Sequence, residues 1–214
     1  MWVWTLNWGQ VREDVIVGSC PMTTNDIDAI HASTGATALL SVQSDECRAA
    51  LGIDLQAHIR HAQRRGLALE NAPMRDFDLE DQRRRLIGSV VSLARLLSAG
   101  HRVYVHCTAG INRSPLTVLS YLTFVESIRP DEALAMIHAG RPQADPYWEA
   151  WQGCRSDLSE QHHDAIEARA WALSQRQPET SALDNWYRAE AEVIREAVLA
   201  RVAAVGLRRD TRRD

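Results

Sequence analysis

The chain lacks the features that mark membrane, secreted and nucleic-acid-binding proteins. Its 214 residues contain no apolar run near the roughly 20 residues that a membrane-spanning helix needs. The start, Met-Trp-Val-Trp-Thr, has neither the basic residues nor the apolar core of a secretion signal. Aspartate and glutamate outnumber lysine and arginine by 28 to 24, and the net charge of −4 disfavours nucleic acid as the main partner. We therefore expect neither a membrane nor a nucleic-acid partner.

Cysteine pairs and metal-ligand patterns are equally scarce. The four cysteines are Cys20, Cys47, Cys107 and Cys154, and none belongs to a Cys-x-x-Cys pair. The eight histidines form no ligand constellation, and the run His162-His163-Asp164 is typical of a solvated helix start. The sequence therefore predicts no metal and no cofactor.

Length and hydrophobic periodicity predict one main domain and a helical extension. A chain of this length, 45% hydrophobic, can bury one core of about 150 residues and leave a smaller appendage. We divide it into 1–158 and 159–214. The predicted strands cover 3–8, 14–17, 37–42, 67–72 and 103–105; the predicted helices cover 25–33, 55–65, 80–98, 115–128, 131–138, 164–175 and 183–205. This alternation predicts an α/β fold with a central, largely parallel sheet flanked by helices and a C-terminal helical hairpin.

The segment from His106 to Ser114 carries the clearest chemical signal. It reads His-Cys-Thr-Ala-Gly-Ile-Asn-Arg-Ser and lies between a buried strand and a helix with proline in its first turn. A loop that leads into a helix directs backbone N–H groups into one concavity, which favours an anion. The same donors lower the pKa of a cysteine at its lip from the free value of about 8.5. Cys107 is therefore predicted to be a nucleophilic thiolate, and Arg113 to clamp phosphate oxygens with its planar fork.

The loop after the cysteine is the predicted phosphate site. Its members are Thr108, Ala109, Gly110, Ile111, Asn112 and Arg113. The pattern indicates a phosphatase that works through a phosphocysteine, and the order of strand, loop and helix argues against a merely buried cysteine beside a surface arginine. A reactive thiol must stay reduced, which predicts a cytoplasmic protein.

A second loop, over residues 73–81, offers the acid that would protonate the leaving oxygen. Asp76 is the first choice and Asp78 the second, since both precede a long predicted helix. The alternative is that either residue caps this helix, and that interpretation is stronger for Asp78.

These motifs resemble the dual-specificity branch of the cysteine-dependent phosphatases. Residues 106–114 match the signature of that family. Residues 3–155 are most similar to the glucan phosphatases of the laforin and plant starch-excess type. The similar segments are 11–21, 25–27, 51–55, 75–78 and 103–110. The resemblance implies a dual-specificity phosphatase fold with Cys107 as nucleophile, Arg113 as clamp and Asp76 as the acid that later activates water. It also implies that Ser114 hydrogen-bonds the sulfur and that His106 orients the loop.

Two positions depart from the glucan-phosphatase pattern. Asn112 stands where that family has glycine, and Ser114 where many members have alanine. Both residues are ordinary in general dual-specificity phosphatases. The substrate expectation is therefore a phosphorylated glucan, with a phosphoprotein or an inositide as the alternative. A non-catalytic phosphate reader is disfavoured, because the nucleophile, the clamp and an acid candidate are all present.

Aromatic residues near the predicted site are candidates for substrate contact. Phe77 adjoins the predicted acid, and a flat ring stacks well on a sugar. Trp148 and Trp151 share one helical face, which suits either a glucan platform or core packing, and core packing is favoured for Trp151. The substrate-binding candidates are Phe77, Asp78 and Trp148.

The C-terminal tail differs in kind from the rest. The pattern Ala168-Arg-Ala-Trp171, Pro178 and Trp186–Glu192 resembles a small helical module of unknown function found in bacterial proteins. The resemblance implies a bacterial source and adds no catalytic residue. The two helices are candidates for a contact with a protein partner or a second copy of the chain.

Overall fold

A mixed five-stranded sheet lies at the centre of the part of the chain that the structure describes. This computed structural model describes residues 4–210, with side chains through residue 205. The strands are β1 (Trp8–Arg12), β2 (Val15–Gly18), β3 (Ala38–Gln43), β4 (Ala68–Met74) and β5 (Val103–His106), in the order β1-β2-β5-β3-β4. Strand β1 is antiparallel to β2, and all other neighbours are parallel. The predicted largely parallel sheet is confirmed.

Helices surround this sheet. They are α1 (Thr24–Thr34), α2 (Asp45–Leu51), α3 (Leu55–Arg64), α4 (Leu79–Ser98), α5 (Arg113–Phe124), α6 (Pro130–Gly140), α7 (Trp148–Gln161), α8 (His163–Arg176) and α9 (Ala182–Asp210). None of the helices within residues 4–210 is long and apolar enough to cross a membrane.

Side chains that alternate along the strands divide the core in two. Leu40 and Val105 belong to a large cluster with α4 and α5, whereas Leu39 and Tyr104 belong to a smaller cluster with α1 and α3. Successive strand residues point to opposite faces of a sheet, so both faces are covered by helices. The end of β5 therefore emerges from a packed, rigid layer.

The first predicted strand and two helices absent from the predicted set, α2 and α7, are the main differences from expectation. The prediction over 3–8 was wrong: residue 3 lies outside the described residues, 4–7 are irregular, and the strand is Trp8–Arg12. The indole of Trp4 donates to the Cys20 carbonyl at 3.1 Å, so this segment bonds to the chain that follows β2. Helix α2 was missed because it is one of the shortest, with Ser44 as its N-cap and Gly52 ending it in the left-handed region.

The C-terminal helices form the expected hairpin and also pack on the main body. Ile166 and Leu173 of α8 meet Ala189 and Val193 of α9 in a separate small cluster. Farther along α9, the side chains around Val198 join the large core instead. The hairpin therefore shares a hydrophobic core with the sheet.

Candidate functional site

The phosphate loop begins where β5 ends, at the carboxyl edge of the sheet. Cys107 follows the strand, and the loop closes at Arg113, the first residue of α5. The backbone N–H of Gly110 donates to Cys107 Sγ at 3.3 Å, and the hydroxyl of Ser114 donates to it at 3.4 Å. The loop amide and the helix start thus both direct hydrogen-bond donors at the sulfur.

Glycine is required at position 110 for two reasons. Its φ of 70° lies in the left-handed region, and a Cβ there would come within 2.4 Å of the Gly18 backbone on β2. The phosphate loop therefore rests directly against a neighbouring strand, which fixes its shape.

The thiol of Cys107 is buried and yet acidic. Burial alone raises the pKa of a thiol, because it disfavours the charged form. Here the positive charge of Arg113 and the hydrogen bonds from Ser114 and Gly110 outweigh burial, so the pKa of Cys107 lies below its ordinary value. The site favours a thiolate.

The guanidinium of Arg113 joins the phosphate loop to the loop over residues 73–81, which we call the acid segment. Its side chain is only 1% exposed, and its Nη2 donates to Asp76 Oδ2 at 2.7 Å and to Thr108 Oγ1 at 3.1 Å. Its Nη1 donates to the Met74 carbonyl at 3.0 Å and to Cys47 Sγ at 3.5 Å. The fork is thus held in one orientation from both sides.

The two candidate acids of the acid segment, Asp76 and Asp78, have different surroundings. Asp76 is 25% exposed and accepts from Arg113 and, at 3.3 Å, from the Tyr147 hydroxyl. Asp78 is the N-cap of α4 and accepts from the backbone N–H of Asp81 at 2.9 Å. The structure thus brings Asp76 to the phosphate loop, whereas the Asp78 carboxylate serves its own helix.

Phe77 and Trp148, the aromatic candidates, also differ in placement. Phe77 is 84% exposed, and its φ of 58° places it in the left-handed region. Trp148 is half-buried and stacks on Trp151, with ring centroids 4.8 Å apart. Trp151 is buried and donates to Thr123 Oγ1 at 3.0 Å, in line with its expected core role. Of these three rings, Phe77 is therefore the exposed one, and it is adjacent to Asp76 in the chain.

His106 lies beneath the loop. It is fully enclosed, and burial lowers its pKa to about 3, so the ring is neutral at ordinary pH. Its Nδ1 lies 3.2 Å from the Cys107 carbonyl and donates to it. The neutral, buried imidazole of His106 is better suited to a structural role than to proton transfer.

Several contacts of the loop were not foreseen from the sequence. Arg141 donates to the carbonyls of Gly110 and Ala109, the latter at 2.8 Å, and Gln43 Nε2 donates to Thr108 Oγ1 at 3.1 Å. Asn112 Nδ2 donates to the Asp145 carbonyl at 2.7 Å. These partners are distant in sequence, and the only local signal was the Gly-Arg-Pro turn around Arg141.

Within the described residues there is no group of three or more histidine, cysteine, aspartate or glutamate side chains that could hold a metal ion. The buried polar atoms without a hydrogen-bond partner there include Arg113 Nε and Arg141 Nη1, both on the guanidinium groups that surround the loop.

Fold and site together define a class of protein. A thiol of lowered pKa and a buried guanidinium meet on an anion-binding loop at the carboxyl end of a parallel strand, an arrangement suited to phosphate chemistry through cysteine. Residues 33–153 match the family described as dual specificity phosphatase, catalytic domain. The chain belongs to that family, because the match covers more than half of its length.

Known relatives include phosphoglucan phosphatases. The chain is 31% identical over 150 residues to phosphoglucan phosphatase LSF1 of Arabidopsis thaliana, covering 68% of this chain and 25% of that protein. It is 32% identical over 138 residues to phosphoglucan phosphatase DSP4 of Castanea sativa, covering 64% and 36%. Laforin of Mus musculus is 26% identical over 147 residues, covering 64% and 44%. The chain therefore spans less than half the length of each of these relatives.

Solved structures show the same fold. The crystal structure of PTPMT1 superposes with a TM-score of 0.57 at 20% identity, covering 77% of this chain and 99% of that one. Human DUSP28 superposes with a TM-score of 0.53 at 21% identity, covering 70% and 90%. The dual-specificity phosphatase fold expected from the sequence is thereby confirmed.

Proposed function

We propose that this protein hydrolyses phosphate monoesters through a phosphocysteine on Cys107 and that its substrate is a phosphorylated α-glucan. The observation that carries the chemistry is the buried Cys107 thiol, whose pKa Arg113, Ser114 and Gly110 hold low against the effect of burial. The similarity to phosphoglucan phosphatases supports the choice of substrate.

In the first step, Cys107 Sγ forms a bond to phosphorus as the bond from phosphorus to the substrate oxygen breaks. The loop amides and Arg113 bind the phosphoryl oxygens, and Asp76 gives its proton to the departing oxygen. In the free site the Arg113 fork is paired with Asp76 at 2.7 Å. An arriving phosphate monoester replaces this carboxylate on the fork, and the released Asp76 takes up a proton from the substrate monoanion or from water, which it then gives to the leaving oxygen.

In the second step, water attacks the phosphocysteine and Asp76 accepts its proton. The bond from phosphorus to sulfur breaks, and the electron pair returns to Cys107. The hydroxyl of Ser114, 3.4 Å from Sγ, stabilises that departing thiolate. Inorganic phosphate then leaves, and the thiolate is restored.

The substrate is bound beyond the phosphate loop by the acid segment. The exposed ring of Phe77 stands one residue from Asp76, where it can stack on the sugar that carries the phosphate. The half-buried Trp148 is the secondary candidate for this role. Asn112 and Ser114, which are ordinary in general dual-specificity phosphatases, favour the alternative substrate class, a phosphoprotein or an inositide.

Phosphate release from several substrates tests the proposal. Purified protein is incubated with phosphorylated amylopectin or glycogen, a phosphotyrosine peptide and an inositide, with Cys107→Ser as the inactive control. We expect the polymer to be the best substrate, and Phe77→Ala to slow its hydrolysis more than that of a small aryl phosphate. Release from the peptide or the inositide alone would contradict the glucan assignment.

We also propose a domain division, a location in the cell and a partner contact for this protein. The chain comprises a catalytic domain over 1–158 and a helical extension over 159–214, and it acts in the cytoplasm of a bacterium, where its thiol stays reduced.

Trp171 of α8, 68% exposed, supports a contact of the extension with a protein partner or a second copy. Sedimentation velocity of the wild type and Trp171→Ala tests self-association: a concentration-dependent dimer that the substitution weakens is expected for a second copy.

A further inference from the structure

Arg141 is a buried cation beside the phosphate loop that the proposed mechanism does not use. Its side chain is 2% exposed, and it is the residue that ends α6. The end of α6 lies directly against β1, because a Cβ on Gly9 would come within 2.0 Å of the Gly140 carbonyl oxygen. Two glycines thus let the helix end approach closely enough for Arg141 to reach the loop.

The contacts of Arg141 are all with neutral oxygens. It donates to the carbonyls of Gly110 and Ala109, and its Nη2 donates to Asn7 Oδ1 at 2.7 Å. No carboxylate forms an ion pair with it among the described residues, whereas Arg113 is paired with Asp76. A buried charge without a partner is costly, so a negative charge that forms nearby is strongly favoured.

The nearby group that can become negative is Cys107, and the path to it is a single peptide unit. The carbonyl of Ala109, which accepts from Arg141 at 2.8 Å, shares its planar peptide with the N–H of Gly110. That N–H donates to Cys107 Sγ at 3.3 Å. In a trans peptide the two groups point in opposite directions, so binding the carbonyl on one side aims the N–H at the sulfur. A cation on the carbonyl also polarises the peptide and strengthens the donor.

Three titratable groups near the thiol stay neutral, namely Cys20, Tyr104 and His106, while the Asp76 carboxylate is paired with Arg113. Cys107 interacts electrostatically with Cys20 and Tyr104, and burial raises the pKa of Cys20 to about 11 and that of Tyr104 well above its ordinary value. His106 is also neutral, since burial lowers its pKa to about 3. Arg113 and Arg141 both interact with the sulfur as positive charges.

We propose that Arg141 is a positioning residue that keeps Cys107 in its thiolate form by fixing and polarising the peptide unit between Ala109 and Gly110. The effect of Arg141 on catalysis rests on the proposed function, whereas its effect on the Cys107 thiol does not. Arg113 must exchange Asp76 for phosphate during the reaction, whereas Arg141 keeps its partners throughout. It supplies the positive charge that does not depend on the state of the acid segment.

The pH dependence of Cys107 alkylation by iodoacetamide tests this without any phosphatase substrate. Peptide mass spectrometry reads Cys107 separately from the other three cysteines. For Arg141→Gln we expect the midpoint to rise by about one pH unit, with about tenfold slower alkylation below it, because removing a nearby charge shifts a pKa by this order. Arg141→Lys keeps the charge and should restore most of the midpoint. An unchanged midpoint in folded Arg141→Gln would overturn the proposal.

Matched variants guard against a simple loss of structure. Arg12→Gln removes a half-buried arginine that pairs with Asp14 and Glu126, away from the loop, and should leave the midpoint unchanged. Asn7→Asp keeps Arg141 but places a carboxylate on its Nη2, so the midpoint should rise, whereas Asn7→Ala should change it less. Equal midpoints for Asn7→Asp and Asn7→Ala would also overturn the proposal. If the shifts occur but the wild type releases no phosphate from any ester, the proposed function fails and the role of Arg141 stands.

Discussion

Each ionisable residue around the phosphate loop has its charge state set by its neighbours. The thiol of Cys107 receives donors from the loop and from the start of α5, while His106, one residue earlier, is enclosed and neutral. Asp76 is partly exposed and bound by Arg113 and Tyr147. Adjacent positions thus hold a thiol of lowered pKa and a neutral imidazole, and Asp76 binds the guanidinium of Arg113.

Replacing Asp76 should slow the reaction most for substrates whose leaving oxygen needs a proton as it departs. For Asp76→Ala we expect a loss of about 10²–10⁴ in kcat on alkyl phosphates, because these oxygens need a proton as they depart. A nitrophenyl phosphate, whose leaving group needs no proton, should lose much less. Asp78→Ala is the matched control and should cost about 1 kcal/mol of stability through its lost helix cap while sparing kcat. A larger loss of kcat in Asp78→Ala would mean that the acid is Asp78.

Stability should fall in mildly acidic solution because of His106. Its pKa is about 3 in the folded protein, whereas a histidine in the unfolded chain titrates near 6.5. The unfolded state therefore binds the proton first, and the stabilising contribution, present above about pH 6.5, is lost as pH falls toward 3. Urea unfolding of the wild type and of His106→Asn at pH 7 and pH 5 measures this. We expect the variant to lose less stability between the two pH values, and an equal loss would contradict the assignment.

The strands and helices around the site hold its shape through close backbone contacts. The phosphate loop lies against β2 at Gly110, and α6 lies against β1 at Gly140. Neither contact tolerates a side chain, so the loop, two strands and a helix end form one rigid support. The acid segment differs, because it carries an exposed ring at Phe77 in the left-handed region.

Substitutions at two glycines with the same φ distinguish backbone strain from steric overlap of an added Cβ. Gly110 and Gly66 both have a φ of 70°, but a Cβ on Gly66 would meet no atom within 4 Å. Gly66→Ala should therefore cost only the strain of the left-handed region, about 1 kcal/mol. Gly110→Ala should cost clearly more and abolish phosphate release, since the Gly18 backbone must shift. Urea unfolding together with kcat compares the two, and similar losses would show that the loop does not rest on β2 as described.

The C-terminal hairpin of α8 and α9 shares the hydrophobic core of the sheet. Ile194 and Val198 of α9 join the large cluster, and Glu190 accepts from Arg155 and Ser159 of α7. The hairpin and the sheet should therefore unfold together.

A pair of substitutions on α9 measures that coupling. Ile194→Ala, at a buried position, should lower the free energy of unfolding by about 2–5 kcal/mol and leave a single transition in urea. Leu199→Ala, at an exposed position on the same helix, is the control and should change it by less than about 0.5 kcal/mol. Two separate transitions in the wild type would contradict a shared core.

The sequence predicted what is local and missed what depends on distant contacts. The position of the phosphate loop could be predicted because strand, loop and helix are contiguous, and the placement of Asp76 near it because Asp76 lies between a strand and a helix. Arg141 and Tyr147 reach the site only through tertiary packing, and no nearby residue pattern indicates their partners. The strand predicted over 3–8 was wrong for the same reason, since the indole of Trp4 bonds to the distant chain that follows β2.

A trapped intermediate tests the central claim, that Cys107 carries the phosphoryl group. Asp76→Asn protein should form the phosphocysteine from nitrophenyl phosphate, whose leaving group needs no acid, and then hydrolyse it slowly for want of a base. After rapid acid quenching, peptide mass spectrometry should find one phosphoryl group on the Cys107 peptide and none in Asp76→Asn/Cys107→Ser. A phosphoryl group on another residue, or turnover that persists in Cys107→Ser, would contradict the account.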